Sequence, residues 1–253
     1  MRAKKLIREK QPQAAGKNVR AAVQTDLTGV CAMKSARIWF EKSGLAIYIS
    51  HLDMNRCMTR AVRRAEIPLW YTDGFNPHPY MTFLMPLPLG QEGKREPMDI
   101  RIENDDMSFD EIKSRLDSVM PEGIRIVDVL EPKCKSNEIA AAEYEIVTEF
   151  SSEGEAEGFA AGAESVIASG ILNAEKRSKR GIKTVNLCEM IRSFECRASG
   201  NKVETKTVLA AGNSVNLNAD LLMNALFAEF AAEPEKNTIS RTKLLCSDLS
   251  VFE

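Results

Sequence analysis

The order of strand-like and helix-like segments constrains this chain more than any other feature of its sequence. In the first half, apolar periodicity gives the order strand, helix, strand, strand, helix, strand, and a similar order follows in the second half. This is the order of a ferredoxin-like sandwich. The sequence therefore predicts an α+β fold built from two tandem ferredoxin-like modules.

The predicted segments divide the chain into two domains of similar size. In the first half, strands are predicted at 37–41, 45–50, 69–72, 80–84, 98–103 and 124–130, and helices at 51–66 and 108–119. In the second half, strands are predicted at 144–150, 171–177, 191–197, 203–210 and 239–246, and helices at 153–168 and 220–230. Residues 35–137 and 138–253 are the two predicted domains.

Residues 1–34 are basic and show no sustained hydrophobic period, so a disordered N-terminal extension is predicted. Met33 directly precedes the first strand pattern and is a candidate for the native start. No apolar run approaches the roughly 20 residues of a membrane-spanning helix, and a cytoplasmic location is expected. The 6 cysteines form no Cys-x-x-Cys pair, so neither a zinc site nor a disulfide framework is predicted.

The helix predicted at 51–66 carries a strongly basic face. Ser50 is expected to cap it, and Pro68 disfavours its continuation beyond Glu66. Five residues at helical spacing are expected to face the core: Met54, Met58, Ala61, Val62 and Ala65. Four arginines share another face, namely Arg56, Arg60, Arg63 and Arg64. Guanidinium groups suit bidentate phosphate contacts, although an ordinary solvated helix face is the alternative.

His51 and His78 are the only histidines in the chain. His51 is predicted at the helix N-terminus, where backbone N–H groups favour an anion and an imidazole can act as acid or base on a phosphate ester. It is therefore the candidate catalytic residue, with packing beneath a loop as the alternative. In a ferredoxin-like layout the two histidines fall at opposite ends of neighbouring strands, unless the 73–79 loop folds back across the sheet.

The segment 73–79, Asp-Gly-Phe-Asn-Pro-His-Pro, is predicted to be a rigid loop that presents a ligand surface. Two prolines flank His78 and restrict its backbone, and Asn76 is a potential hydrogen-bonding group. Phe75 and Tyr80 offer flat surfaces on which a base can stack. A structural loop at a sheet edge is the alternative. A second basic segment, 176–183, contains Lys179 and Arg180 and is a further candidate for phosphate contact.

Several of these motifs are similar to those of a known family. They are Ile49-Ser50-His51-Leu52-Asp53, Arg63-Arg64, the 74–79 loop, Pro86-Leu87-Pro88-Leu89-Gly90 and Ala142-Glu143-Tyr144. The chain resembles the radical-SAM-associated domain family of unknown function, over about residues 34–250. The resemblance implies a cobalamin-domain radical-SAM protein as a partner acting in trans. An iron–sulfur cluster, SAM and cobalamin would then belong to that partner, and no cofactor is expected in this chain.

Three functions are compatible with these observations. The first is an accessory module that binds structured RNA, such as tRNA or rRNA, for the radical-SAM partner. The second is a metal-independent endoribonuclease in which His51 is the acid or base and Tyr48 or His78 assists. The third is a protein-docking subunit that has no nucleic-acid role and uses the surface around Met81 and Met85.

Overall fold

The structure is a computed structural model that describes residues 33–103, 106–178, 181–212 and 215–253. The N-terminal extension predicted to be disordered lies outside the described residues, except for Met33 and Lys34. Lys34 already belongs to the first strand. In the part of the chain that is described, no helix is both long and apolar enough to cross a bilayer.

The first half contains four strands and two α-helices. They are β1 (Lys34–Lys42), α1 (His51–Arg64), β2 (Met81–Phe83), β3 (Glu92–Ile102), α2 (Phe109–Asp117) and β4 (Ile124–Leu130). Across the sheet the strands stand in the order β4-β1-β3-β2, and every neighbouring pair is antiparallel. A short 3-10 turn at Ser136–Glu138 lies between β4 and the second half.

The second half repeats this order of pairing. Its elements are β5 (Ala141–Glu149), α3 (Glu153–Ser169), β6 (Asn173–Ser178), β7 (Gly181–Asn186), β8 (Ile191–Ser199), β9 (Lys202–Ala210), α4 (Ala219–Glu229) and β10 (Lys236–Leu245). The strands β10-β5-β9-β8 are again antiparallel neighbours, whereas β6 and β7 pair only with each other. A parallel contact between β10 and β3 joins the halves into one eight-stranded sheet of the described chain.

The α+β class is therefore confirmed, while the predicted strands at 45–50 and 69–72 are wrong. At 69–72 only isolated bridges form, at Leu69 and Tyr71, because Pro68 and the following loop leave too short an extended run to pair. Residues 45–50 begin with a 3-10 helix, Gly44–Tyr48, in which only Ala46 is buried. The N–H of Ser43 bonds to the carbonyl of Gly123, which turns the chain away from β1. The predicted strand at 171–177 belongs to the separate β6–β7 hairpin, because its alternation does not specify which strand it pairs with.

Each half has its own hydrophobic core. In the first half, the five helix residues predicted to face the core are all buried, and they pack with β1 and β3 residues such as Ile38 and Ile100. In the second half, α3 and α4 cover the other set of strands, with Phe159 and Leu222 among the buried residues. Trp39 of β1 faces away from α1 and packs into the core of the second half.

A buried polar network connects the halves where β3 meets β10. Arg241 donates two hydrogen bonds to the Glu96 carboxylate and one to the Met85 carbonyl, and both charged side chains are at most 3% exposed. The coulombic and hydrogen-bonding effect of Glu96 raises the pKa of Arg241 against the opposing effect of burial. Nearby, the Gln91 amide donates to Asn218 and Asp220 at the start of α4. These contacts fix the register between the two halves.

Candidate nucleic-acid interface

The N-terminus of α1 is capped as the sequence predicts. The Ser50 hydroxyl accepts a hydrogen bond from the Asp53 N–H at 3.2 Å and donates to the Asp53 carboxylate at 2.7 Å. Arg56 donates to the same carboxylate at 3.2 Å. These two side chains, first Ser50 and then Arg56, lower the pKa of Asp53. Asp53 thus has a structural role in the cap, and Arg56 is partly neutralised by it.

His51 is the first residue of α1 and is exposed to solvent. Its ring meets the ring of Phe83 edge-on, with 5.2 Å between the centroids. His51 also lines a cavity of about 20 Å³, together with Lys42 and Glu96. A space of that size holds about one water molecule.

Lys42 is a titratable neighbour of His51 that the sequence analysis missed. Its ammonium donates to the carbonyl of Ile49 at 3.0 Å, and the residue is 3% exposed. Burial lowers the pKa of Lys42, and the charge of Glu96 opposes that effect. The sequence gives no sign that a lysine at the end of a strand is buried. Lys42 is covered by the segment from β2 to β3, which is far from it in the chain.

The predicted arginine face of α1 lies on the side of the helix opposite its buried residues. Arg56, Arg60, Arg63 and Arg64 are all exposed. Within the described residues, the guanidinium groups of Arg60, Arg63 and Arg64 have neither an ion-pair nor a hydrogen-bond partner. Asp53 attracts Arg60 only coulombically, without an ion pair, so the three guanidinium groups on one helix face create a positive potential that attracts an anion.

The loop at 72–79 is closed by hydrogen bonds among its own residues. The Thr72 N–H donates to the His78 carbonyl at 2.9 Å, and the His78 N–H donates to the Thr72 hydroxyl at 3.2 Å. The Nδ1 atom of His78 lies 3.0 Å from that hydroxyl and 3.2 Å from the Asn76 carbonyl. The ring of Phe75 at the tip is fully exposed. The contacts of His78 therefore stabilise the loop conformation, and the loop exposes the side chain of Phe75 to solvent.

The base of this loop lies against the C-terminal half of α1. Tyr71 and Pro79 line a cavity of about 120 Å³ together with Thr59, Val62 and Arg63 of α1. Arg63 is the arginine that lines this cavity, so the base of the loop adjoins the arginine face at Arg63. We call Arg60, Arg63, Arg64 and the 72–79 loop the arginine–loop surface.

The two histidines do not share a site. His51 lies at the start of α1, beside Phe83, whereas His78 lies in the loop whose base contacts Arg63. Arg63 is twelve positions after His51 in α1, which is roughly 18 Å along the helix axis. The catalytic candidate His51 is therefore outside the arginine–loop surface. Lys179 and Arg180, the other predicted phosphate contacts, lie outside the described residues.

No group of three or more metal-ligating side chains occurs among the residues whose positions are described. The described cysteines, Cys57, Cys134, Cys188, Cys196 and Cys246, are free thiols.

Comparison with known proteins gives a family but no activity. The family model described as "Uncharacterized protein conserved in bacteria (DUF2344)" matches residues 36–219. No curated protein matches the chain. Among solved structures, the chain is similar to an unknown protein from Galdieria sulphuraria, at 12% identity over 83% of this chain and 98% of that one, with a TM-score of 0.25. At that score, nothing about this chain follows from the similarity.

Proposed function

The chain belongs to the DUF2344 family of uncharacterized bacterial proteins. We propose that it binds structured RNA as an accessory module of a radical-SAM system. The single observation that carries the RNA proposal is the arginine–loop surface. There, Arg60, Arg63 and Arg64 form no ion pair within the described residues, and the exposed ring of Phe75 lies on the adjoining loop.

The chemistry of this surface fits RNA better than a simple anion. Guanidinium groups contact phosphates in pairs of hydrogen bonds, and an exposed aromatic ring stacks on an unpaired base. The hydrogen bonds of Thr72 and His78 hold the loop in shape, so little entropy is lost when Phe75 engages a base. Structured RNAs such as tRNA and rRNA present both features, because their loops expose bases beside a phosphate backbone.

We classify the two halves as tandem ferredoxin-like modules. The support is their strand order: β4-β1-β3-β2 in the first half and β10-β5-β9-β8 in the second, each with two helices in the crossover positions. In this proposal the β6–β7 hairpin is an insertion after the first helix of the second module.

The radical-SAM part of the proposal rests on the sequence motifs that resemble the radical-SAM-associated family. In it, the iron–sulfur cluster, SAM and cobalamin are held by a partner protein that acts in trans. Met81 and Met85 are half-buried and pack against the two cores, so they offer little surface to such a partner. Exposed apolar side chains occur instead around the start of α1, at Leu45, Tyr48 and Leu52. We place the docking surface there.

A binding titration with labelled total tRNA and rRNA fragments tests the RNA proposal. We expect micromolar affinity that weakens as salt rises, because bound phosphates release counterions. Replacing the three arginines without partners by alanine should reduce the salt slope by about 0.7–0.9 for each lost phosphate contact. This α1 triple variant carries Arg60→Ala, Arg63→Ala and Arg64→Ala.

The matched control removes the same charge from other exposed sites. This control triple variant carries Arg115→Ala, Arg125→Ala and Arg197→Ala, and each of those arginines is paired with a glutamate. It should bind RNA nearly as tightly as the wild type. Absence of salt-dependent binding by the wild type, or equal losses in both triple variants, would contradict the proposal.

One observation favours a second candidate, an endoribonuclease. The exposed imidazole of His51 and the buried ammonium of Lys42 line the same cavity, so an acid–base pair is available at the α1 N-terminus. His78 is at the other end of α1 and would not assist. If RNA is cleaved by the wild type and not by His51→Ala, this candidate holds; equal cleavage by both proteins would exclude it.

A further inference from the structure

A cleft of about 570 Å³ lies against β1 and β3, on the face of the sheet that turns away from α1 and α2. Residues alternate between the two faces of a strand, so Ala36 and Ile38 face the helices while Ser35 and Arg37 face the cleft. Asp99 and Arg101 of β3 and Tyr80 complete its floor, and residues 131–137 form its rim. We call this cleft the sheet groove. Its volume is within the usual range for small-ligand sites.

Part of the groove floor is held rigid by charge pairing. Arg37 is 1% exposed and donates two hydrogen bonds to the Asp99 carboxylate, at 2.8 and 3.0 Å. Its remaining contacts go to the carbonyls of Glu253 and Cys134, both at 2.8 Å. Arg37 and Asp99 therefore neutralise each other and shape the groove, and four of the five N–H groups of Arg37 are already bonded within the protein.

Arg101 has a different environment from Arg37. Its guanidinium carbon lies 4.4 Å from the ring centroid of Tyr80 and 5.6 Å from that of Trp70. Within the described residues, no carboxylate pairs with it. A guanidinium held over aromatic rings keeps its plane fixed and its N–H groups available, and such a plane is a platform on which a nucleobase stacks.

The rim supplies a second free cation. The N–H of Lys135 donates to the Glu138 carboxylate at 2.7 Å, which fixes the backbone of the rim, whereas its ammonium has no partner in the described chain. Lys133, by contrast, is paired with Glu253. The groove thus combines a fixed aromatic–arginine stack on the floor with a free ammonium on the rim.

We propose that the sheet groove binds a nucleotide, with its base stacked on Arg101 and its phosphate held by Lys135 and the Arg101 N–H groups. The shared ligand chemistry is an aromatic base that carries a phosphate, whether as a free mononucleotide or as one unit of a single-stranded RNA. Trp70 and Tyr80 adjoin the base of the 72–79 loop, so an RNA strand on the arginine–loop surface reaches the groove around the sheet edge. The RNA form of the inference rests on the proposed function.

Two ligands separate the two sources of this chemistry. Adenosine monophosphate is titrated while tryptophan fluorescence is recorded, and a ten-nucleotide single-stranded RNA containing 5-iodouridine is photo-crosslinked and the modified peptides are sequenced. We expect adenosine monophosphate to quench the tryptophan fluorescence of the wild type but not that of Trp70→Phe. We expect the iodouridine RNA to crosslink to Trp70 or Tyr80. Quenching by the mononucleotide with an affinity equal to that of the RNA identifies a free nucleotide as the ligand. Tighter binding of the RNA by tenfold or more identifies an RNA strand.

Three variants test the residues that carry the inference. Arg101→Ala and Lys135→Ala should each weaken binding about tenfold, while Arg197→Ala on the second module should leave it unchanged. Arg101 packs on aromatic rings, so its thermal unfolding is compared with that of the wild type. Lys135 is exposed and its replacement should not affect folding, so the inference is testable even if Arg101→Ala unfolds.

The outcomes distinguish this inference from the proposed function. If structured RNA still binds through the arginines of α1 but Lys135→Ala has no effect and no crosslink maps to Trp70 or Tyr80, the groove inference is wrong and the function stands. If no structured RNA binds but the mononucleotide quenches Trp70 in a Lys135-dependent manner, the function is wrong and the groove stands. If neither ligand shows any dependence on Arg101 or Lys135, the groove inference is overturned.

Discussion

Replacing Arg241 by methionine should destabilise the protein strongly, because it leaves the Glu96 carboxylate buried without the guanidinium that forms its two hydrogen bonds. Both side chains are at most 3% exposed, so water cannot replace the lost guanidinium. The Met85 carbonyl also loses a hydrogen bond of 2.5 Å. Removing one partner of a buried pair costs about 3–5 kcal/mol of unfolding free energy. For a chain of this size, each kcal/mol lowers Tm by roughly 2–4 °C, which gives a decrease of about 6–20 °C.

The assay is thermal unfolding followed by circular dichroism, with urea unfolding as a second measure. Lys202→Ala is the matched control, since it breaks a partly exposed pair with Glu149 and should change the unfolding free energy by about 1 kcal/mol at most. The double variant Glu96→Met/Arg241→Met removes both charges and should recover most of the loss. A Tm for Arg241→Met within 2 °C of the wild type, on the scale of roughly 2–4 °C per kcal/mol, would refute this reasoning.

Three further predictions concern single residues. Phe75→Ala should leave Tm unchanged, because the ring is fully exposed, but weaken RNA binding by about 1–3 kcal/mol in the titration described above; unchanged affinity would remove Phe75 from the interface. Gly93→Ala places a Cβ atom 2.5 Å from Glu96 Cγ, so it should lower the unfolding free energy by about 1–3 kcal/mol. Urea unfolding measures this loss, and an unchanged free energy would disprove the prediction. Burial lowers the pKa of Lys42 in the folded protein. Between that lowered pKa and the usual 10.5, the unfolded chain binds more protons than the folded one, so the stability of the wild type should rise with pH in this range. Urea unfolding of Lys42→Met across the same pH range should lack that rise, and an identical rise in both proteins would argue against it.

The features that sequence reasoning predicted correctly are those set by local spacing. The buried face of α1 follows from apolar residues three and four positions apart, and its start follows from Ser50, whose hydroxyl accepts the Asp53 N–H. The position of the arginine face follows from the same periodicity. None of these features needs information from a distant part of the chain.

The features that it missed depend on distant residues. The alternation of apolar and polar residues at 45–50 resembles that of a strand. The Ser43 N–H donates to the Gly123 carbonyl, however, and a 3-10 helix forms at Gly44–Tyr48 instead. Lys42 is buried only because the β2–β3 segment encloses it. Likewise, the stack of Trp70, Tyr80 and Arg101 forms where separate segments pair along the outer edge of β3.

Recovery of RNA from native cells tests the central claim most directly. Tagged wild-type chain, the α1 triple variant and the control triple variant are purified under matched conditions, and the bound RNA is sequenced. The account predicts that the wild type and the control enrich the same structured RNAs, and that the α1 triple variant loses at least tenfold of that enrichment. Equal RNA recovery by all three proteins, or no enrichment by the wild type, would contradict the assignment of RNA binding to the arginine–loop surface.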